Sequence, residues 1–108
     1  MPMFAVHAID RPGALQTRLD HYAAHRAFVE DQETQGIRVI LSGPLQCDNG
    51  EVMTGSLLIL EACGRAVIEA FVAQDPFTRA GVWGEVKITR FHPRKGHVQP
   101  PPQKADQP

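Results

Sequence analysis

The order in which hydrophobic periodicity changes between Phe4 and Phe91 narrows the fold more than any single motif. Phe4, Val6 and Ala8 alternate with Ala5, His7 and Ile9, the period-two pattern of a strand, and Asp10-Arg11-Pro12-Gly13 ends it. Asp10 is placed to cap a following helix, and Pro12 suits a first helical turn, where its missing N–H costs nothing. From Ala14 to Gln35, Leu15, Leu19, Tyr22 and Val29 fall near one face at helical steps, with Ala24 and Phe28 adjoining. This stretch is expected to be an amphipathic helix, stopped by Gly36. Ile37 to Leu41 is a β-branched run that reads as a second strand, broken by Ser42-Gly43-Pro44. Cys47-Asp48-Asn49-Gly50 is a turn cluster in which Asn49-Gly50 accepts positive φ cheaply, so a hairpin returns the chain as Thr54 to Glu61. Gly64 to Ala73 sets Val67, Ile68, Phe71 and Val72 on one stripe of a shorter helix. Asp75-Pro76-Phe77 ends that helix, because a residue before proline resists helical dihedrals. Residues 82–91 alternate again, with Val82, Gly84, Val86, Ile88 and Arg90 against Trp83, Glu85, Lys87, Thr89 and Phe91.

The elements therefore run βαββαβ. Two right-handed βαβ-type halves joined by a hairpin give an α+β, ferredoxin-like fold: a four-stranded antiparallel sheet with two helices on one face. The chain offers nothing to cover the other face. Strands carrying Phe4, Val6, Leu58, Leu60, Val86 and Ile88 are not expected to leave an apolar face in water, so a homodimer packed sheet against sheet is expected.

Composition limits the rest. The chain has 108 residues, with 11 Lys and Arg against 12 Asp and Glu, so nothing in its balance calls for a phosphate backbone or an anionic membrane. Nucleic acid is not expected as a partner. The longest apolar run, Leu57 to Leu60, is far short of the roughly 20 residues that span a bilayer. Cys47 and Cys63 lack Cys-x-x-Cys spacing and no basic-then-apolar leader opens the chain, which together suit a soluble protein of a reducing cytoplasm. After Phe91 the composition turns to Pro, Gln and charge, with five of the nine prolines (Pro93, Pro100, Pro101, Pro102, Pro108). Such a segment buries too little apolar surface to offset its ordering entropy. Residues 1–92 are read as the folded domain and 93–108 as a tail, flexible unless a partner orders it, with Pro100 to Pro102 as a spacer.

Five histidines are the compositional feature that leans toward chemistry, because the ordinary imidazole titrates near neutrality. Arg18, His21 and His25 share one helix face at steps of three and four. His21 and His25 at i and i+4 supply two metal ligands without a third or a His-Glu-x-x-His motif, so a solvated face is the better reading and no metal is expected. Asp75 before Pro76 suits a cap on the next turn, and from the end of the second helix it is also placed to orient an imidazole. Ser42 and Ser56 lie at strand ends without a nucleophile-elbow sequence and are read as hydrogen-bonding groups at most. No Gly-rich phosphate loop is present, and no cofactor is expected.

Gly43-Pro44-Leu45, Gly55-Ser56 opening a hydrophobic strand, and Asp75-Pro76-Phe77-x-x-Ala80-Gly81-Val82, with His25 ahead of them, make the chain resemble the YciI-like (YCII-related) family over residues 3–92. Where members commonly carry Arg-Pro-Ala-His-Leu, this chain reads Tyr22-Ala23-Ala24-His25-Arg26. The resemblance implies a ferredoxin-like fold in a dimeric α/β barrel and a site made by His25 and Asp75. The family is linked to dehydrochlorination of a chlorinated hydroxyquinol.

The leading expectation is a small cofactor-independent enzyme, a lyase or isomerase, acting on a small cyclic or aromatic substrate. His25 exchanges a proton with the substrate and Asp75 orients the imidazole. Arg18 and His21 are expected to bind an anionic substituent, Ser56 to hydrogen-bond the substrate, and Tyr22 or Trp83 to supply an aromatic wall. The alternative is a non-catalytic small-molecule-binding or subunit-interaction module of the same fold.

Overall fold

The computed structural model describes residues 1–96; Pro100 to Pro102 and the rest of residues 97–108 lie outside the described residues. The first strand, β1 (Met3–Asp10), follows its alternation: Phe4, Val6 and Ala8 are buried and His7 and Ile9 exposed. Helix α1 (Leu15–Glu30) leads through a 3₁₀ turn, Asp31–Gln35, to Gly36 at φ 86°. Strands β2 (Arg38–Gln46) and β3 (Met53–Glu61) form the hairpin, closed by Cys47 N–H to Val52 O at 3.0 Å, with Gly50 at φ 77°. Then come α2 (Arg65–Gln74), the single turn α3 (Pro76–Arg79) and β4 (Trp83–Phe91). The sheet order is β2-β3-β1-β4 with every neighbouring pair antiparallel, the ferredoxin-like α+β arrangement.

Register assigns the faces. Opposite residues share a face, so Phe4 with Leu60, Val6 with Leu58 and Ile88, and Ala8 with Ser56 and Val86 all lie on the side where the core is buried. The six apolar residues that suggested an uncovered face therefore all belong to the helix side. The open face is a different set, in which Ala5, Leu45, Leu57 and Ile59 are half-buried and Ile9 and Leu41 exposed.

Several local expectations give way to tertiary structure. Ser42-Gly43-Pro44 does not end β2. The strand runs on to Gln46, with Pro44 opposite Ser56, because β2 is an edge strand and its outer side needs no donor. Helix α1 starts at Leu15 with Ala14 at the N-cap and no side-chain cap, and Asp10 is engaged elsewhere. Leu15 and Leu19 point outward, 39% and 50% exposed, while Arg18 is 2% exposed and Val29 is buried. The buried stripe is Arg18, Tyr22, His25 and Val29, at steps of four, three and four, with the two middle residues half-buried.

Strict alternation in β4 would put Trp83 on the open face with Glu85 and Lys87. A bulge prevents this: Ile9 pairs with Glu85 but Asp10 pairs with Trp83, leaving Gly84 as the extra residue. Trp83 is turned into the core at 3% exposure. A Cβ at Gly84 would press Arg11 Cγ at 3.3 Å and Ile9 O at 3.4 Å, so the small residue suits the kink.

Candidate active site

The inner face of α1 meets the sheet where its side chains become small. From Phe4–Leu60 through Val6–Leu58 to Ala8–Ser56, paired residues on β1 and β3 shrink, and the guanidinium of Arg18 enters at the small end. Its Nε donates to Asp10 Oδ2 at 2.7 Å and its Nη2 to Asp10 Oδ1 at 3.0 Å, a bidentate fork that satisfies both buried charges. Nη2 also donates to Ser56 Oγ at 2.7 Å. The same Oγ accepts Trp83 Nε1–H at 3.2 Å.

Asp75 joins α2 to α3 in an extended conformation, φ −61° and ψ 134°, as Pro76 requires of the residue before it. Its Oδ1 accepts the Phe77 N–H at 2.8 Å, capping α3 with Pro76 at the first helical position. The carboxylate also lies 2.8 and 2.9 Å, by its two oxygens, from Nδ1 of His25. Asp75 is fully buried and the His25 side chain 13% exposed. An ionised carboxylate only accepts, so this contact places a hydrogen on Nδ1 and leaves Nε2 as the ring nitrogen available to a ligand. Phe77 holds the ring flat, with centroids 4.0 Å apart and 9° between planes, and Trp83 meets it edge-on at 5.9 Å. Arg18 Cζ lies 4.6 Å from the Phe77 centroid, so one buried phenyl supports both polar groups of the helix.

A cavity of about 330 Å³ opens between α1 and the β2–β3 hairpin, bordered by Arg18, Tyr22, His25, Ser42, Pro44 and Ser56. That is the low end of ligand-site volumes and suits a single ring with its substituents. Arg26 and Glu30 also border it, joined at 3.1 Å. The Arg26 guanidinium is held further above its ordinary value, by Tyr22 first and then by the hydrogen bond to Glu30.

The structure thus brings His25 together with Asp75, and Arg18, Tyr22 and Ser56 to one cavity. It does not bring two of the other expected residues there. His21 is exposed on α1 and outside the cavity wall, and buried Trp83 stands behind the site, against His25 and Ser56, rather than forming a wall. Ser42 and Pro44 contribute because β2 continues past the expected break. Asp10 and Phe77 were missed as site residues. Phe77 was legible as part of the Asp-Pro-Phe turn, whereas nothing local marks Asp10 as the partner of Arg18. Among the described residues no three His, Cys, Asp or Glu side chains converge as a metal site would require.

Fold and site together define a small α+β domain in which a buried carboxylate backs an imidazole beside a ring-sized cavity. The chain belongs to the family of YCII-related domains, whose model matches residues 3–92. It is 36% identical to the 5-chloro-2-hydroxyhydroquinone dehydrochlorinase TftG of Burkholderia phenoliruptrix, solved in complex with 2,5-dihydroxybenzoquinone; 83% of this chain and 93% of that one are covered, with a TM-score of 0.74. It is 30% identical over 80 residues to the xenovulene A biosynthesis cluster protein asL2 of Sarocladium schorii, covering 68% of this chain and 69% of the relative. A protein of Arabidopsis thaliana shares the fold at a TM-score of 0.50 and 9% identity.

Proposed function

We propose that this chain is a small acid–base enzyme in which His25 moves a proton of a hydroxylated ring and Asp75 fixes the imidazole for the task. The observation that carries the reading is the pair of 2.8 and 2.9 Å contacts between Nδ1 and a fully buried carboxylate, beside a cavity that His25 borders. Nε2 takes a proton from a ring carbon or hydroxyl, and the electron pair it leaves moves onto a ring oxygen as an enolate or phenolate. In an elimination that pair then expels a leaving group with its bonding electrons; in an isomerisation the imidazolium returns the proton to another carbon. Either course conserves electrons. Asp75 keeps Nδ1 protonated and stabilises the imidazolium while it lasts.

The reading takes residues 1–92 as the working unit, in a reducing cytoplasm where Cys47 and Cys63 stay free thiols. It includes a homodimer through the open sheet face, which carries Ile9, Leu41, Leu57 and Ile59.

The similarity to a dehydrochlorinase selects the probe. Purified protein is incubated with 5-chloro-2-hydroxyhydroquinone and unchlorinated polyhydroxybenzenes, with chloride release and ring-proton exchange in D₂O as readouts. His25→Gln is expected to slow the reaction by roughly 10²–10⁴-fold with the fold intact. A wild-type protein that binds these rings yet neither turns them over nor exchanges their protons is a binding module instead.

A further inference from the structure

Ser56 is 3% exposed, borders the cavity and has no part in the proton transfer itself. A serine hydroxyl has one hydrogen to donate and two lone pairs that accept. Here Arg18 Nη2 donates to Ser56 Oγ at 2.7 Å and Trp83 Nε1 donates to it at 3.2 Å. Neither a guanidinium nor an indole N–H accepts a hydrogen bond. Both lone pairs are therefore occupied, and among the described residues no acceptor is hydrogen-bonded to the Ser56 hydrogen.

We infer that Ser56 is an obligate hydrogen-bond donor to a carbonyl or phenolate oxygen of the ring ligand, with Arg18 and Trp83 fixing that direction. The inference rests on the proton-transfer reading above and says where the displaced electron pair goes. As Nε2 takes the proton, charge accumulates on the ring oxygen facing Ser56. Ser56 keeps its own hydrogen throughout and stabilises that charge through an O–H···O⁻ bond, polarised from behind by the Arg18 cation. Arg18 is itself held in place by the fork to Asp10, which engages its Nε and Nη2. The substrate class is accordingly a small ring with an acceptor oxygen.

The test is calorimetric titration of the full chain with 2,5-dihydroxybenzoquinone and with a series of phenols of similar size and graded acidity, each as its anion. A donor hydrogen bond makes wild-type affinity rise with the basicity of the phenolate oxygen. Ser56→Ala is expected to flatten that dependence and to weaken binding about ten- to a hundredfold. A merely structural loss lowers all affinities alike and keeps the slope. Because alanine strands the Arg18 and Trp83 donors, Ser56→Cys, with its weak S–H donor, is measured beside it and decides the matter if the alanine variant does not fold. The expected slope for cysteine is shallower than wild type. Wild-type slope in either folded variant overturns the inference, while loss of turnover in His25→Gln with the slope intact in Ser56→Ala leaves the proton-transfer reading standing. A wild-type protein that binds none of these ring oxygens overturns both.

Discussion

The two ends of the β1–β3 pair carry opposite kinds of core. At one end Phe4 faces Leu60 and both are buried hydrocarbon; at the other, Ala8 faces Ser56 and the buried groups around them are Arg18, Asp10 and Asp75. The apolar end needs only the right volume, since dispersion and water exclusion have no direction. The polar end persists because its charges are paired: Arg18 with Asp10 and Ser56, and Asp75 with His25 and the Phe77 N–H. Site and scaffold are therefore the same atoms at that end, and only changes that preserve shape separate the two roles.

Asp75→Asn makes the largest such separation. Asparagine caps a helix as well as aspartate, so α3 and the unfolding midpoint are expected to change little. The loss of the charge facing Nδ1 is expected to lower turnover on the order of 10⁴-fold, the scale of the equivalent carboxylate-to-amide change in a Ser-His-Asp triad. The ¹⁵N shifts of the His25 ring report whether the Nδ1–H tautomer is lost at the same time. Turnover within tenfold of wild type, with the cap intact, reduces Asp75 to a structural residue.

Next comes Arg18→Met, which leaves the Asp10 carboxylate 8% exposed and without its fork. A broken buried pair costs about 3–5 kcal/mol, to be read from urea unfolding. Adding Asp10→Leu is expected to recover most of that stability while ring binding stays weakened, because Ser56 no longer has a charged donor behind it. At the apolar end Leu60→Ala is expected to cost about 2–5 kcal/mol through its cavity, and to leave the ligand affinity of the folded fraction unchanged. A ligand-affinity change for Leu60→Ala as large as that for Arg18→Met breaks the distinction between the ends.

The same contrast explains which parts of the molecule were legible in sequence. Strands β1 and β4 announce themselves by alternation, and β3 as the apolar return arm of the hairpin that Asn49-Gly50 marks, because these are local signals that the tertiary structure keeps. The Asp75-Pro76-Phe77 turn is legible for the same reason. Trp83 is not, because its direction depends on a bulge at Gly84 whose cause is the pairing of β4 with β1. Nor is the continuation of β2 through Pro44, which depends on being at the edge. The inner face of α1 misleads outright: hydrophobicity selects Leu15 and Leu19, while the structure buries Arg18 beside a carboxylate seen only once β1 and α1 are packed.

That reversal sets the smallest expected effect and the sharpest local one. Leu19 and Arg18 are neighbours, 50% and 2% exposed. If tertiary partners rather than hydrophobicity set the rotation of α1, Leu19→Gln changes stability by no more than about 0.5 kcal/mol, the usual range for an exposed position. Its urea midpoint then overlays that of wild type, while Arg18→Met, one residue earlier, unfolds far sooner. A cost above about 1 kcal/mol for Leu19→Gln places that leucine in an apolar contact. The helix would then be covered on its outer side, or turned so that its leucines and not its arginine meet the sheet. Concentration dependence separates the two, since a cover provided by a second copy makes the midpoint rise with protein concentration and a rotated helix does not.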